Sequence, residues 1–152
     1  KKTTPATVIA GWVSGDIQSR EQYPALFRAL TTRPLKAPTT LERGLGIPRL
    51  YINRMQAGDT MDLGAASSWT LNSRQANEFA QLNSGPGTGT GNREKVAVVL
   101  RIKEAKKGGD ISNISQLDRE MEVVKSGRIR FTSHPKWDQG RRAFVVDAEE
   151  ID

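Results

Sequence analysis

The sequence predicts an α+β fold with a mostly antiparallel sheet. Two observations lead to this class. Residues with helical spacing are concentrated in the first half of the chain, and short β-branched or apolar runs are concentrated in the second half. The length of 152 residues is that of one ordinary domain with a hydrophobic core of its own.

The N-terminal region predicts one helix between two less regular segments. Residues 1–15 hold Thr, Pro and Gly around the apolar patch VIAGWV and predict a loose arm with a short ordered piece. In residues 17–31, apolar positions from Tyr23 to Leu30 recur at helical spacing, and Pro24 is typical of a helix start. A linker is predicted for the following RPLKAP.

The middle of the chain alternates between predicted strands and helices. TLERGL, at residues 40–45, predicts a short strand, IPRLYINRM a second helix or a turn, and GAASSWTL another strand. Asn72 or Ser73 is a suitable N-cap for the helix SRQANEFAQL, whose apolar residues line one side. The following NSGPGTGTGNRE predicts a mobile surface loop. It follows a helix and precedes a strand, which is the opposite order from a phosphate-cradling loop.

The C-terminal part predicts most of the sheet. KVAVVLRI is the clearest strand in the chain because it is apolar, β-branched and bounded by polar residues. KEAKKGGDISNISQLD is rich in turn residues, and three further short strands are predicted for EMEVV, GRIRFTS and RRAFVVDA.

Composition excludes several kinds of chemistry. The chain has no cysteine, which excludes disulfides, thiolate metal ligands and a cysteine nucleophile. Its single histidine, His134, precedes a proline in a predicted turn, so we expect neither a metal site nor a Ser-His-Asp triad. No apolar run approaches the roughly 20 residues of a membrane span. An enzyme of this composition would use carboxylates as its acids and bases.

The net charge of +6 favours an anionic partner: nucleic acid, a phosphate-bearing cofactor, an acidic protein or a membrane surface. The basic residues are scattered, without the interleaved aromatic pattern of single-strand binders. This charge leaves a non-catalytic basic binding module open as an alternative to an enzyme. A phage structural domain is a further alternative, which does not rest on the charge.

The segment DREMEVV places two carboxylates one residue apart. In a strand, side chains at i and i+2 share a face, so Glu120 and Glu122 project together while Met121 and Val123 pack on the other side. Two such carboxylates resist joint ionisation unless cations or solvent compensate them. A solvated strand edge is one interpretation, and a site that requires two negative charges on one face is the other.

Two other motifs precede this pair in a fixed order. ERGL carries Arg43, SSWT carries Ser68 and Thr70, and both lie in predicted strands. The order of arginine, serine and Glu-x-Glu resembles the arginine–serine–glutamate class of mono-ADP-ribosyltransferases, which includes bacterial toxins and phage enzymes. The resemblance spans about residues 39–132. It implies a split β-sandwich of two mostly antiparallel sheets with N-terminal helices.

The chain departs from the family pattern at several positions. Glu42 replaces the aromatic residue that commonly precedes the arginine. In the middle motif, Trp69 replaces a threonine and is expected in the core, while Thr70 replaces a serine and keeps a hydroxyl. The loop before the glutamates lacks the aromatic residue with which many relatives recognise a protein, which leaves the target open.

The resemblance implies a role for each motif residue. NAD would be the substrate, and Glu122 would stabilise the positive charge that develops on its ribose. Glu120 would orient or deprotonate the incoming nucleophile, which in relatives with this glutamate is an arginine. Arg43 would bind a phosphate of NAD, Ser68 would hold Glu122, and Thr70 would support the same cofactor-binding strand.

The resemblance also implies a biological setting. We expect an enzyme that transfers ADP-ribose to arginine on a host or competitor protein, with RNA or DNA as the alternative acceptor. We take residues 1–152 as one catalytic domain. Because the chain begins at Lys1 rather than Met, we expect it to be a C-terminal fragment of a larger protein. The family's habits imply a monomer, delivery into the cytoplasm of a target cell, and an immunity protein over the cleft.

Overall fold

The computed structural model describes residues 4–13, 19–111 and 122–151, which form a sheet of nine strands with helices around it. The described α-helices are α1 Pro5–Val13, α2 Ser19–Gln22, α3 Pro24–Thr31 and α4 Ser73–Leu82, and two 3-10 segments span Arg49–Arg54 and Gly91–Arg93. The described strands are β1 Pro34–Pro48, β2 Thr60–Asp62, β3 Ser67–Thr70, β4 Lys95–Lys107, β5 Gly109–Asp110, β6 Glu122–Lys125, β7 Arg128–Phe131, β8 Lys136–Asp138 and β9 Ala143–Ile151.

The strands follow one hydrogen-bonded path in the order β2-β7-β9-β4-β1-β3-β6-β5, with β8 paired to β9. Only β4 and β9 run parallel among the described pairs, which confirms the predicted α+β class with a mostly antiparallel sheet. A single residue pair, Glu42 opposite Thr70, joins β1 to β3. The path therefore divides into two halves at this junction. The large half contains β2, β7, β9, β4 and β1, with β8 beside β9, and the small half contains β3, β6 and β5. These halves correspond to the two predicted sheets.

The main core lies between the two halves. Leu41 and Leu100 of the large half belong to the same buried cluster as Trp69 and Val123 of the small half. Trp69 is 2% exposed, as expected for a core residue. Burial of apolar side chains from both halves holds them together at about 25 cal/mol per Å² of apolar surface removed from water.

A second apolar cluster packs the N-terminal helices on the small half. Val8 and Ile9 of α1 are buried together with Phe27 of α3 and Val124 of β6. The ring of Trp12 meets that of Phe27 edge to face at 5.5 Å. The predicted loose arm over residues 1–15 thus contains a packed helix, because its apolar patch has a partner elsewhere in the chain.

The two longest strands extend beyond the segments that the sequence predicted. β1 includes the predicted linker RPLKAP except for its first residue, Arg33, and β4 continues to Lys107. Pro34 lies opposite Lys107 at one end of this pair, and Pro48 lies opposite Lys95 at the other. Prolines and lysines hide this pairing in the sequence, and the register shifts on either side of Thr39 accommodate the irregular part. The three-residue strands β2 and β8 were not predicted.

Helix α4 lies against β1 at very short range. The carboxamide oxygen of Asn72 accepts hydrogen bonds from the backbone N–H groups of Arg74 and Gln75, so the predicted N-cap is confirmed. A Cβ atom at Gly44 would stand 1.9 Å from the carbonyl oxygen of Ala76, and one at Gly46 would stand 1.7 Å from that of Asn83. Glycine at these two positions lets the helix backbone touch the strand.

The helices in the described part of the chain do not combine the length and the apolar character that crossing a membrane requires.

Candidate active site

A cleft of about 320 Å³ opens beside the junction of β1 and β3, with α4 as one wall. Its lining includes Arg43 of β1, Ser68 and Thr70 of β3, and Glu122 of β6. The structure therefore brings four of the five sequence-predicted site residues to one place. The fifth, Glu120, lies outside the described residues.

A larger open groove of about 970 Å³ runs along β4, β7 and β9. Its walls mix basic residues such as Lys103 and Arg128 with acidic residues such as Glu104 and Asp147, and it contains none of the motif residues. The smaller cleft is therefore the better candidate for chemistry, because size alone does not create a site.

The hydroxyl of Ser68 donates a hydrogen bond of 2.8 Å to Oε2 of Glu122. Both side chains lie on one face because β3 and β6 pair with Thr70 opposite Glu122 and Ser68 opposite Val124. Glu122 is only 4% exposed, and no lysine or arginine of the described residues forms an ion pair with it. The carboxylate is thus held in one orientation without an ion pair to any described residue, an arrangement suited to a ligand that becomes positive.

Arg43 brings a cation to the same cleft. Its side chain is partly buried, and no described residue forms a hydrogen bond or an ion pair with its guanidinium. Burial lowers the pKa of Arg43, but an arginine stays protonated at neutral pH even after such a shift. The guanidinium is therefore a charged donor available to an anionic ligand.

Thr70 supports the turn that leads into α4. Its hydroxyl accepts a hydrogen bond of 3.0 Å from the backbone N–H of Asn72 and donates one of 3.3 Å to Oε1 of Gln75. The residue is 6% exposed at the edge of the cleft. A direct role for Thr70 in cofactor binding stays a prediction.

The strand that carries Ser68 is itself locked in place. The indole N–H of Trp69 donates to the hydroxyl of Ser67 at 2.9 Å, and that hydroxyl donates to the backbone carbonyl of Lys125 at 2.9 Å. Trp69 therefore contributes a large buried side chain and a hydrogen bond, and both hold β3 in place.

Sequence reasoning missed the contribution of α4 to the cleft. The sequence predicted only that the apolar residues of this helix line one side, but Phe79 is half-buried and lines the cleft together with Gln75 and Asn83. The fully buried contact with β1 is made by Ala76. Residues 75, 79 and 83 share a face at intervals of four, and this spacing was the signal that could have identified them.

The described residues contain no group of three or more histidine, aspartate or glutamate side chains placed to share a metal ion. The candidate site is accordingly one of a carboxylate, a hydroxyl and a guanidinium.

No family model matches the sequence, and no curated protein matches it. Solved structures do match its fold. The chain is 14% identical to the ADP-ribosyltransferase Vis in complex with an inhibitor, with 99% of this chain and 74% of that one covered at a TM-score of 0.69. Vis is a toxin from Vibrio splendidus.

Two further solved structures share the fold. An ADP-ribosyltransferase from Clostridium botulinum is 12% identical over 99% of this chain and 88% of that one, with a TM-score of 0.61. Exoenzyme S of Pseudomonas aeruginosa, in complex with human 14-3-3 protein beta and bound to carba-NAD, is 14% identical over 96% and 65%, with a TM-score of 0.60. The fold is thus that of the ADP-ribosyltransferases, as the order of the motifs predicted.

Proposed function

We propose that this chain is an NAD-dependent mono-ADP-ribosyltransferase. The observation that carries the proposal is the 2.8 Å hydrogen bond between Ser68 and the buried Glu122, in a cleft that Arg43 also lines. The fold supports it, since exoenzyme S, which shares that fold, is bound to carba-NAD in its solved structure.

Glu122 is the residue to which we assign the charge-stabilising role. When the bond between nicotinamide and ribose breaks, the base leaves with the bonding electrons and positive charge develops on the sugar. A carboxylate held by Ser68 and shielded from water stabilises that charge without reorganising first. Its effect is largest in the transition state, which is the condition for catalysis rather than simple binding.

The charges of the cleft complement those of NAD. The guanidinium of Arg43 suits the oxygens of the pyrophosphate, and the carboxylate of Glu122 suits the ribose and its hydroxyl groups. Phe79 adds an aromatic surface to the same wall. The volume of about 320 Å³ falls in the range of about 300–1,000 Å³ typical of small-molecule sites, so the cleft fits a large part of the dinucleotide.

For the acceptor, we propose the guanidinium of an arginine on a protein. A guanidinium is protonated in water, so a second carboxylate is needed to steer it and to take its proton, and Glu120 is the residue to which we assign this role. A solved structure of Vis contains agmatine, a small guanidinium compound, which supports this class of acceptor. The net charge of +6 favours nucleic acid as the second candidate acceptor.

We further propose that the domain is part of a toxin that is delivered into a target cell, with an immunity protein that covers the cleft. Vis and an ADP-ribosyltransferase from Paenibacillus larvae, which share the fold, are both toxins. Expression of the wild-type domain in a susceptible cell should then arrest growth, and expression of Glu122→Gln should not. Equal growth with both would contradict the toxin role.

The central test is transfer of biotinylated ADP-ribose from NAD in a cell lysate. We expect labelling by the wild type and none by Glu122→Gln, whose amide cannot offer the negative charge. Glu104→Gln is the matched control, because Glu104 is exposed and does not line the cleft.

Digestion of the labelled lysate distinguishes the two acceptors. Label that protease removes and nuclease leaves indicates a protein, and the reverse indicates nucleic acid. Undiminished labelling with Glu122→Gln, or none with the wild type in any lysate and no hydrolysis of NAD, would contradict the proposed function.

A further inference from the structure

A buried arginine outside the predicted motifs connects both walls of the cleft. Arg141, in the turn between β8 and β9, donates two hydrogen bonds to the carboxylate of Glu42, at 2.9 and 2.5 Å. Its Nε donates to Oδ1 of Asn77 at 2.7 Å. Nη2, which makes the shorter of the two bonds to Glu42, also donates to the carbonyl oxygen of Ser73 at 3.3 Å. The side chains of Arg141 and Glu42 are 15% and 6% exposed, so this pair is largely withdrawn from water.

The position of Glu42 gives this pair its significance. Glu42 precedes Arg43 directly on β1, and it is the residue through which β1 pairs with Thr70 of β3. It also stands at the position where an aromatic residue is common in the family that the motifs resemble. A carboxylate here carries a buried charge that needs a cation, and Arg141 supplies it with the fork geometry that a carboxylate accepts best.

Arg43 itself has no such support. Its guanidinium has no hydrogen-bond or ion-pair partner among the described residues, so its position depends on the backbone of β1. The backbone of its neighbour is held through Glu42 by Arg141. The same Arg141 is bound to α4, the helix that presents Phe79 to the cleft.

We propose that Arg141 is a positioning residue for the cleft. It fixes β1 and α4 relative to each other, and thereby places Arg43 to meet the anionic part of the dinucleotide. This inference rests on the proposed function and deepens it, since it adds a residue that acts through Arg43 rather than on the ligand.

The turn that carries Arg141 is anchored independently of this side chain. The backbone N–H of Arg141 donates to Asp138, and the side-chain amide of Gln81 donates to the carbonyl oxygens of Arg141 and Arg142. Arg141→Lys therefore leaves the turn in place and keeps a positive charge, but it removes the fork. Arg142→Lys is the matched control, because the neighbouring Arg142 is exposed.

The first test measures NAD binding by calorimetry in two backgrounds. Arg141→Lys should weaken binding about ten-fold in the wild-type background, because a displaced Arg43 loses its contact with the phosphates. In the Arg43→Lys background the same change should cost less than about two-fold, since the residue it acts through is already altered. Equal losses in both backgrounds, or no loss in either, would overturn the inference.

The second test needs no ligand. The Nε–Hε signal of Arg43, identified by its disappearance in Arg43→Lys, should shift in the NMR spectrum of Arg141→Lys and stay in place in Arg142→Lys. If the wild type does not bind NAD, the proposed function fails and this signal alone decides the inference. Glu42→Gln, which removes the charge and keeps the shape, should shift the signal as well. An Arg43 signal that is unchanged in both Arg141→Lys and Glu42→Gln would show that Arg141 does not position Arg43.

Discussion

The two ends of strand β6 carry buried side chains of opposite charge, and these two side chains differ in whether an ion pair compensates them. Glu122 at one end is 4% exposed and accepts a hydrogen bond from the hydroxyl of Ser68, and it forms no ion pair with a described residue. Lys125 at the other end is 2% exposed and is bound to the carboxylate of Glu150 and to the backbone carbonyl of Lys107 at 2.5 Å. Among the described residues, one of these two buried charges has an ionic partner and the other has none.

The compensated end connects the small half of the sheet to the large one. The carboxylate of Glu150, on β9, also accepts hydrogen bonds from the backbone N–H groups of Lys106 and Lys107 at the end of β4. Burial lowers the pKa of Lys125, and Glu150 opposes that effect. The comparison teaches that burial alone does not assign a role to a charge: a paired one joins two parts of the sheet, whereas one without an ionic partner among the described residues is a cost that the proposed function would account for.

The strongest way to break the comparison is to neutralise the functional end. Glu122→Gln should lower the rate of NAD hydrolysis by a factor on the order of 10²–10³, because a preorganised negative charge is lost. Its melting temperature should be equal to or above that of the wild type, since the amide removes an uncompensated buried charge. Steady-state kinetics and thermal unfolding on one preparation check both. A large loss of stability would show that Glu122 is a structural carboxylate instead.

Neutralising Lys125, at the other end of β6, should lower stability and leave activity unchanged. Lys125→Met should lower the free energy of unfolding by about 3 kcal/mol, because Glu150 loses its buried cation. The activity per folded molecule should stay close to that of the wild type, since Lys125 does not line the cleft. Urea unfolding and assays below the transition measure the two effects. A loss of activity without a loss of stability would contradict the assignment.

A smaller change sharpens the contrast within the site. Ser68→Ala removes the hydroxyl that orients Glu122 and leaves the carboxylate charged, so the rate should fall about ten-fold, the equivalent of one hydrogen bond. The loss should appear in kcat more than in the affinity for NAD, because the carboxylate acts on charge that develops in the transition state. Ser67→Ala, on the opposite face of β3, should instead lower stability, because Ser67 bonds to Trp69 and Lys125. Indistinguishable variants would remove the distinction between the two faces.

The smallest expected effect concerns the ion pair of Arg101 and Asp147, which is compensated like Lys125 but is more exposed to water. Nε of Arg101 lies 2.7 Å from Oδ1 of Asp147, and the two side chains are 31% and 21% exposed. Burial raises the pKa of Asp147, but the hydrogen bond and charge of Arg101 outweigh it, so the pKa lies below its ordinary value of 3.8. A lowered pKa means that this stabilisation is present above about pH 4 and is lost as the pH falls through the folded-state value.

Asp147→Asn should therefore melt below the wild type near neutral pH, and the difference should shrink as the pH falls from about 4 through the lower folded-state pKa of Asp147. Thermal unfolding over a pH series measures this difference. A constant gap at every pH would show that the aspartate contributes through packing and not through its charge.

Local patterns accounted for the elements whose neighbours in the chain determine them. The Asn72 cap and the periodicity of α4 need only one turn of backbone, and the apolar run of β4 needs only its own composition. The sequence did not predict the packed helix in the loose arm, the strand in the linker, or the three-residue strands β2 and β8. α1 is packed by Phe27, and the prolines of β1 are held by pairing with β4, so each depends on residues distant in sequence.

Residue order alone predicted that the strand arginine, the serine, the threonine and the second glutamate lie together, although it missed the residues that α4 adds to the cleft. Only the tertiary structure decided which charges are compensated. It paired Glu42 with Arg141 and Lys125 with Glu150, across separations of 99 and 25 residues, and it left Glu122 and Arg43 without ionic partners among the described residues. The physical reason is that compensation of a buried charge depends on distances of a few ångströms, which are set by strand pairing and helix packing and leave no trace in local composition.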